Sequence, residues 1–135
     1  MTDDKVKNFR ERRFTERFRI PDGLIYCRQL RKLNWFNSFK GPFILKDIAS
    51  NSASFDCPQD IGLKKIVELK ISSPHFQKEV TVKGQIIRRR ELEESGEFIY
   101  VVQFTPFGEG PQYNTHLSRD DMRAFIKAMQ ANGNL

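Results

Sequence analysis

The sequence predicts an all-β protein, a small antiparallel barrel with one helix packed on it. Three observations carry that expectation. Twelve phenylalanines in a chain of 135 residues supply an aromatic core of the kind that favours strands. Short runs of alternating apolar and polar residues recur between tight turn signals, the spacing of a closed or nearly closed barrel. Only the last stretch, from about residue 118, changes to a helical period.

Residues 1–12 are charged, with Val6 and Phe9 their main apolar side chains. They are expected to form a flexible basic arm ahead of a barrel domain spanning 13–135. Pro21-Asp22-Gly23 is a turn signal, and Leu24–Leu30 follows as a strand. Residues 31–41 mix Leu33, Trp35, Phe36 and Phe39 with Lys and Asn, and fit either a strand extension or a packed loop. Pro42–Ile48 reads as the next strand, ending at the polar turn Ala49-Ser50-Asn51-Ser52. In the following run the alternation puts Ala53, Phe55 and Cys57 on one face. Pro58–Gly62 is a loop.

Val67–Ile71 and Val80–Ile86 both alternate, and the second continues through Arg88-Arg89-Arg90-Glu91 to a hairpin tip at Glu94-Ser95-Gly96. The three arginines there face Glu91, Glu93 and Glu94, the look of a solvated strand end. Phe98–Phe104 is apolar on both faces, which marks a central strand. Ser118 offers an N-cap for a helix over about 118–131, with Asp120 and Asp121 suited to the positive end of its dipole. Met122, Phe125, Ile126 and Met129 recur on one face, a packing stripe, and Gly133 is a natural stop.

The totals narrow the function. A formal charge of +6 and a sequence pI near 9.5 favour an anionic partner: nucleic acid, a nucleotide or an anionic membrane surface. Cys27 and Cys57 lie alone in apolar, strand-like contexts, without the further Cys or His that a metal site needs, and are expected as buried thiols. The N-terminus lacks an apolar signal core and no apolar run approaches spanning length, so a cytoplasmic protein without membrane insertion is expected. His75 and His116 stand far apart, and no Walker loop, GxGxxG, H-E-x-x-H or nucleophile motif occurs. No enzyme activity, catalytic residue, metal or cofactor is expected.

The stretch from Arg10 to Pro21 carries five arginines. Arg13 and Arg17 are four apart and share a face in a helical or an extended segment. Two guanidinium forks on one face match phosphate oxygens bidentately, or the O6/N7 edge of guanine. Glu11-Arg12-Arg13-Phe14-Thr15-Glu16-Arg17-Phe18-Arg19-Ile20-Pro21 resembles the RxxxR opening of the PilZ domain. The similarity extends from about residue 9 to 130, through the Lys83-Gly84-Gln85-Ile86-Ile87 and Val101-Val102-Gln103-Phe104 strands to the closing helix. It implies a six-stranded barrel with a C-terminal helix, in a bacterial family many of whose members bind the second messenger cyclic di-GMP.

The family's second motif reads D/N-x-S-x-x-G, and the matching piece is Asp47-Ile48-Ala49-Ser50-Asn51-Ser52. Asp47 matches, Ala49 stands in place of serine and Ser52 in place of glycine. The missing hydroxyl removes a hydrogen bond of about 0.5–1.5 kcal/mol, and the glycine matters if the backbone there needs positive φ or close approach to the ligand. Ser50 supplies a hydroxyl only if the turn shifts by one residue. The resemblance thus implies a cyclic di-GMP site of Arg13 and Arg17 with Arg12 nearby, plus Asp47, Ala49, Ser50 and Ser52. Restoring Ala49→Ser and Ser52→Gly is expected to tighten it.

Two other readings stay open. One is a degenerate PilZ adaptor that binds no nucleotide and acts through contacts with an unidentified protein partner. The other, resting only on charge and aromatics, is a nucleic-acid-binding barrel.

Overall fold

The computed structural model describes residues 18–20, 22–30 and 38–131. Its strands are β1 (Phe18–Arg19), β2 (Leu24–Gln29), β3 (Lys40–Ala49), β4 (Ser52–Cys57), β5 (Ile66–Ser73), β6 (Phe76–Glu91) and β7 (Phe98–Phe104), and the helix α1 (His116–Ala131) follows. Strands pair in the order β3-β2-β5-β6-β7-β4, and β4 pairs back onto β3. Six antiparallel strands therefore close on themselves, which removes the sheet edges. The apolar run of β7 sits between β6 and β4, as a strand apolar on both faces should.

β1 lies outside that ring. It pairs with β3 through Phe18↔Ile48 and Arg19↔Asp47, along the edge that β2 occupies further on through Leu24↔Ile44. A tight turn joins the two short pieces. Asp22 has φ 60° and Gly23 donates its N–H to the Ile20 carbonyl at 3.1 Å. A Cβ on Gly23 would stand 2.8 Å from the Ile20 side chain, so this turn has no room for one.

Inward positions build one continuous core. Phe55 and Tyr100, directly opposite each other, are fully buried, with ring centroids 5.7 Å apart. Cys27 and Cys57 are free buried thiols within that core. Gly84 is needed where β6 meets β7, since a Cβ would lie 2.5 Å from the Gln103 carbonyl oxygen. At the far end of the barrel the Tyr100 hydroxyl donates to the Gln59 carbonyl and accepts from the Ile61 N–H, both at 2.7 Å, and pins the loop between β4 and β5.

A bulge in β3 decides which face its end presents. Leu45 pairs with Phe55, but Asp47 pairs with Ser54, so Lys46 is an extra residue. Simple alternation from the buried Phe43 and Leu45 would aim Asp47 into the core. The extra residue reverses the parity: Ile48 turns inward, fully buried beside Ala53, and Asp47 and Ala49 turn outward.

The helix begins earlier than the sequence suggests. Thr115, not Ser118, is the N-cap: its Oγ1 accepts the Ser118 N–H at 3.1 Å. Ser118 is thereby the third helical residue, and Asp120 and Asp121 fall beyond the first turn, which holds no acidic residue. Asp121 instead pairs with Lys78 of β6 at 2.9 Å. Met122, Phe125 and Met129 are buried as the stripe predicts, and Phe125 meets Phe76 edge-on at 5.5 Å. Ahead of the helix, buried Asn114 stands in for a strand neighbour of β6. Its Oδ1 accepts the Lys83 N–H, and its Nδ2 donates to the Lys83 and Thr105 carbonyls.

The basic run on β6 is not uniformly solvated. Arg89 pairs with Asp60 at 2.7 Å and covers the Phe98 ring at 4.5 Å, so it ties the hairpin to the loop after β4.

Candidate ligand-binding site

The hairpin of β3 and β4 brings part of the expected site together. Asp47 and Ala49 alternate on β3, and Ser54 and Ser52 lie directly opposite them on β4. All four belong to the outer face of the barrel, because the inward row of this hairpin is Leu45, Phe55, Ile48 and Ala53. Asp47 is half-buried, Ala49 fully buried, and Ser52 and Ser54 are 7% and 5% exposed. The loop between the strands is Ser50-Asn51, both exposed. The Asn51 carbonyl accepts the Phe104 N–H at 2.7 Å, which fixes the turn against the end of β7.

The conformation answers one of the two questions that the missing glycine raises, the need for positive φ. Ser52 is an ordinary extended strand residue; among the described non-glycine residues only Asp22 and Lys64 have positive φ. Left-handed backbone freedom is not used at this position.

Arg12, Arg13 and Arg17 lie outside the described residues. What the structure supplies is the point at which the chain arrives. Phe18 is opposite Ile48, one residue short of Ala49. Arg19 is exposed and directly opposite Asp47, an opposite-charge pairing of the kind that stabilises neighbouring strands. Its place beside Asp47 was hidden in the sequence, because a two-residue strand has too few positions to show a period.

Two clefts elsewhere have different chemistry. One of about 560 Å3 lies between Arg28, Glu68 and Lys83 on one side and Tyr113, Thr115 and Ser118 on the other. Its cations are already engaged: Arg28 pairs with Glu68, and Lys83 donates to the Pro111 carbonyl at 2.8 Å. The other, about 420 Å3, is lined by Pro42, Ile44, Asp56, Gln59 and Glu97, an acidic wall that disfavours phosphate. His75 and His116 join no group of metal-ligating residues among the described residues, and no described helix is long and apolar enough to cross a membrane.

A closed barrel that offers an outer hairpin face, with a two-residue lead-in strand setting Arg19 beside it, defines a class of small all-β modules whose polar face lies outside the barrel. The PilZ domain profile matches residues 11–120; the chain belongs to the PilZ domain family. A comparison with curated protein sequences found no significant match. Among solved structures, the Bacillus subtilis inhibitor of motility MotI/DgrA superposes with a TM-score of 0.57 at 8% identity, over 87% of this chain and 51% of its own. MrkH, described as a c-di-GMP-dependent transcription regulatory factor, gives 0.55 at 16% identity over 87% and 50%. The K. pneumonia MrkH–c-di-GMP complex gives 0.52 at 20% identity over 86% and 50%. The chain thus spans about half the length of these neighbours, and at such identities the likeness is one of fold.

Proposed function

We propose that this chain is a cyclic di-GMP receptor, in which Arg13 and Arg17, with Arg12 nearby, close over a ligand resting on the β3–β4 face and so change the surface offered to a protein partner. The observation that carries it is the register Arg19↔Asp47, which runs the strand after the RxxxR segment along the hairpin that holds the second motif. Support comes also from the family match over residues 11–120 and from a structural neighbour solved with c-di-GMP. In this arrangement the guanidinium forks grip phosphate oxygens or a guanine O6/N7 edge, and the Asp47 carboxylate accepts from the donor edge of a guanine. Binding and rearrangement are the whole mechanism.

The second reading, an adaptor that binds no nucleotide, is favoured by one observation: Ala49 and Ser52 replace two residues of the second motif. Calorimetric titration with cyclic di-GMP separates the two. The receptor reading expects saturable heat at micromolar to tens of micromolar protein, abolished by Arg13→Ala/Arg17→Ala. No heat with the unsubstituted chain would sink the receptor reading, and binding that survives the double substitution would remove the arginines from the site.

A further inference from the structure

We propose that Ser52 and Ser54 take over, from the opposite strand, the hydroxyl contact that Ala49 has lost. The inference rests on the cyclic di-GMP reading above and concerns the same face.

Asp47, Ala49, Ser52 and Ser54 are the corners of one outward-facing rectangle, paired Asp47↔Ser54 and Ala49↔Ser52. Residues directly opposite in an antiparallel pair have Cβ atoms about 4.5–5.5 Å apart, and diagonal neighbours stand about 7–8 Å apart. A hydroxyl on Ser52 therefore emerges about one strand spacing from where a serine at position 49 would hold its own. That of Ser54 emerges beside the Asp47 carboxylate. The Lys46 bulge is what makes this possible, because without it Asp47 and Ala49 would sit on the opposite face from both serines.

The two hydroxyls also suit the chemistry of the ligand. Both residues are held in the β3–β4 ladder and are more than nine-tenths buried. Phosphodiester oxygens and the O6/N7 edge of guanine are acceptors, and a serine hydroxyl is a donor free to rotate toward them. Glycine at position 52 would leave that part of the face bare. Serine there fills it with a donor.

The test is the affinity of cyclic di-GMP for the full chain and for Ser52→Ala, Ser54→Ala, the double variant, Ser52→Thr, Ala49→Ser and Ser52→Gly. Ser72→Ala, on β5, serves as a control, and thermal unfolding without ligand checks that each variant folds. Each alanine substitution is expected to weaken binding about two- to tenfold, and the double variant by more. Ser52→Thr, which keeps the hydroxyl, should bind like the original chain, and Ala49→Ser added to the double variant should restore affinity. A double variant that binds as tightly as the original chain overturns the inference. So does tighter binding by Ser52→Gly, which would make Ser52 an obstacle. If the original chain fails to bind and Ala49→Ser binds, the hydroxyl replacement is wrong while the receptor site stands. If neither binds, the receptor reading falls and this inference with it.

Discussion

Cys27 is 3% exposed, and burial, with Cys57 as a second contributor, pushes its thiol from 9.0 up to about 12. Burial raises the Cys57 thiol as well. Only the thiolate reacts readily, so both side chains should resist a thiol reagent at pH 8 in the folded protein and react at once in denaturant. The same shift sets a pH dependence. Below about pH 9 both folded and unfolded chains keep the protons. Above it the unfolded chain ionises first, so stability falls as pH rises toward 12, by about 1.4 kcal/mol per pH unit for a thiol that stays protonated when folded. Denaturant melts between pH 8 and 10.5 check this, with Cys27→Ser as the comparison. Asn114 gives a second prediction at this scale. Truncation to alanine leaves the Lys83 N–H and two carbonyls without their partner, and is expected to cost about 1–3 kcal/mol of unfolding free energy. Nothing in the sequence around Asn114 announces that role, because its partners are backbone groups 9 and 31 positions away.

At the scale of elements, what was legible followed from whether a pattern is local. The core face of β4 could be read from alternation, and Phe98–Phe104 could be placed as a central strand because apolar residues fill both of its faces. The end of β3 could not. A bulge is a relation between two strands, so the register change between Leu45 and Asp47 leaves no mark in the residues of either one, yet it decides that Asp47 faces outward. The helix start was misplaced for a related reason: Thr115 and Ser118 are both capping types three apart, and the distance from Thr115 Oγ1 to the Ser118 N–H chooses between them. The expected consequence is unequal. Thr115→Ala should lower stability by about 1 kcal/mol, within the usual range for a lost N-cap, whereas Ser118→Ala should change it little. Equal effects in thermal or denaturant melts would argue against Thr115 as the cap.

For the molecule as a whole, the closed barrel explains why a ligand would sit on the outside. Large side chains from the strands and from α1 fill the core, with Phe55, Tyr100 and Phe125 fully buried. The hairpin face lies on the other side of the sheet from that core, and a binding site there needs a second wall. The order of the chain offers the segment before Phe18 as that wall. The proposed share of Arg13 and Arg17 in the site rests on their spacing together with the family resemblance. The outward face of Asp47 and the neighbourhood of Arg19 and Ser54 were not, since they come from pairings between residues 7 to 28 positions apart.

The central claim is that the arginine segment and the β3–β4 face form one site. The most direct measurement is a map of amide chemical-shift changes as cyclic di-GMP is added to the isotopically labelled chain. The account predicts that the largest changes fall together on residues 12–19 and 47–54, saturate at one common ligand concentration, and leave α1 and the Pro58–Gly62 loop nearly unmoved. Changes confined to the Arg88–Arg90 hairpin or to the cleft around Arg28 and Lys83, or no changes at all, would contradict it.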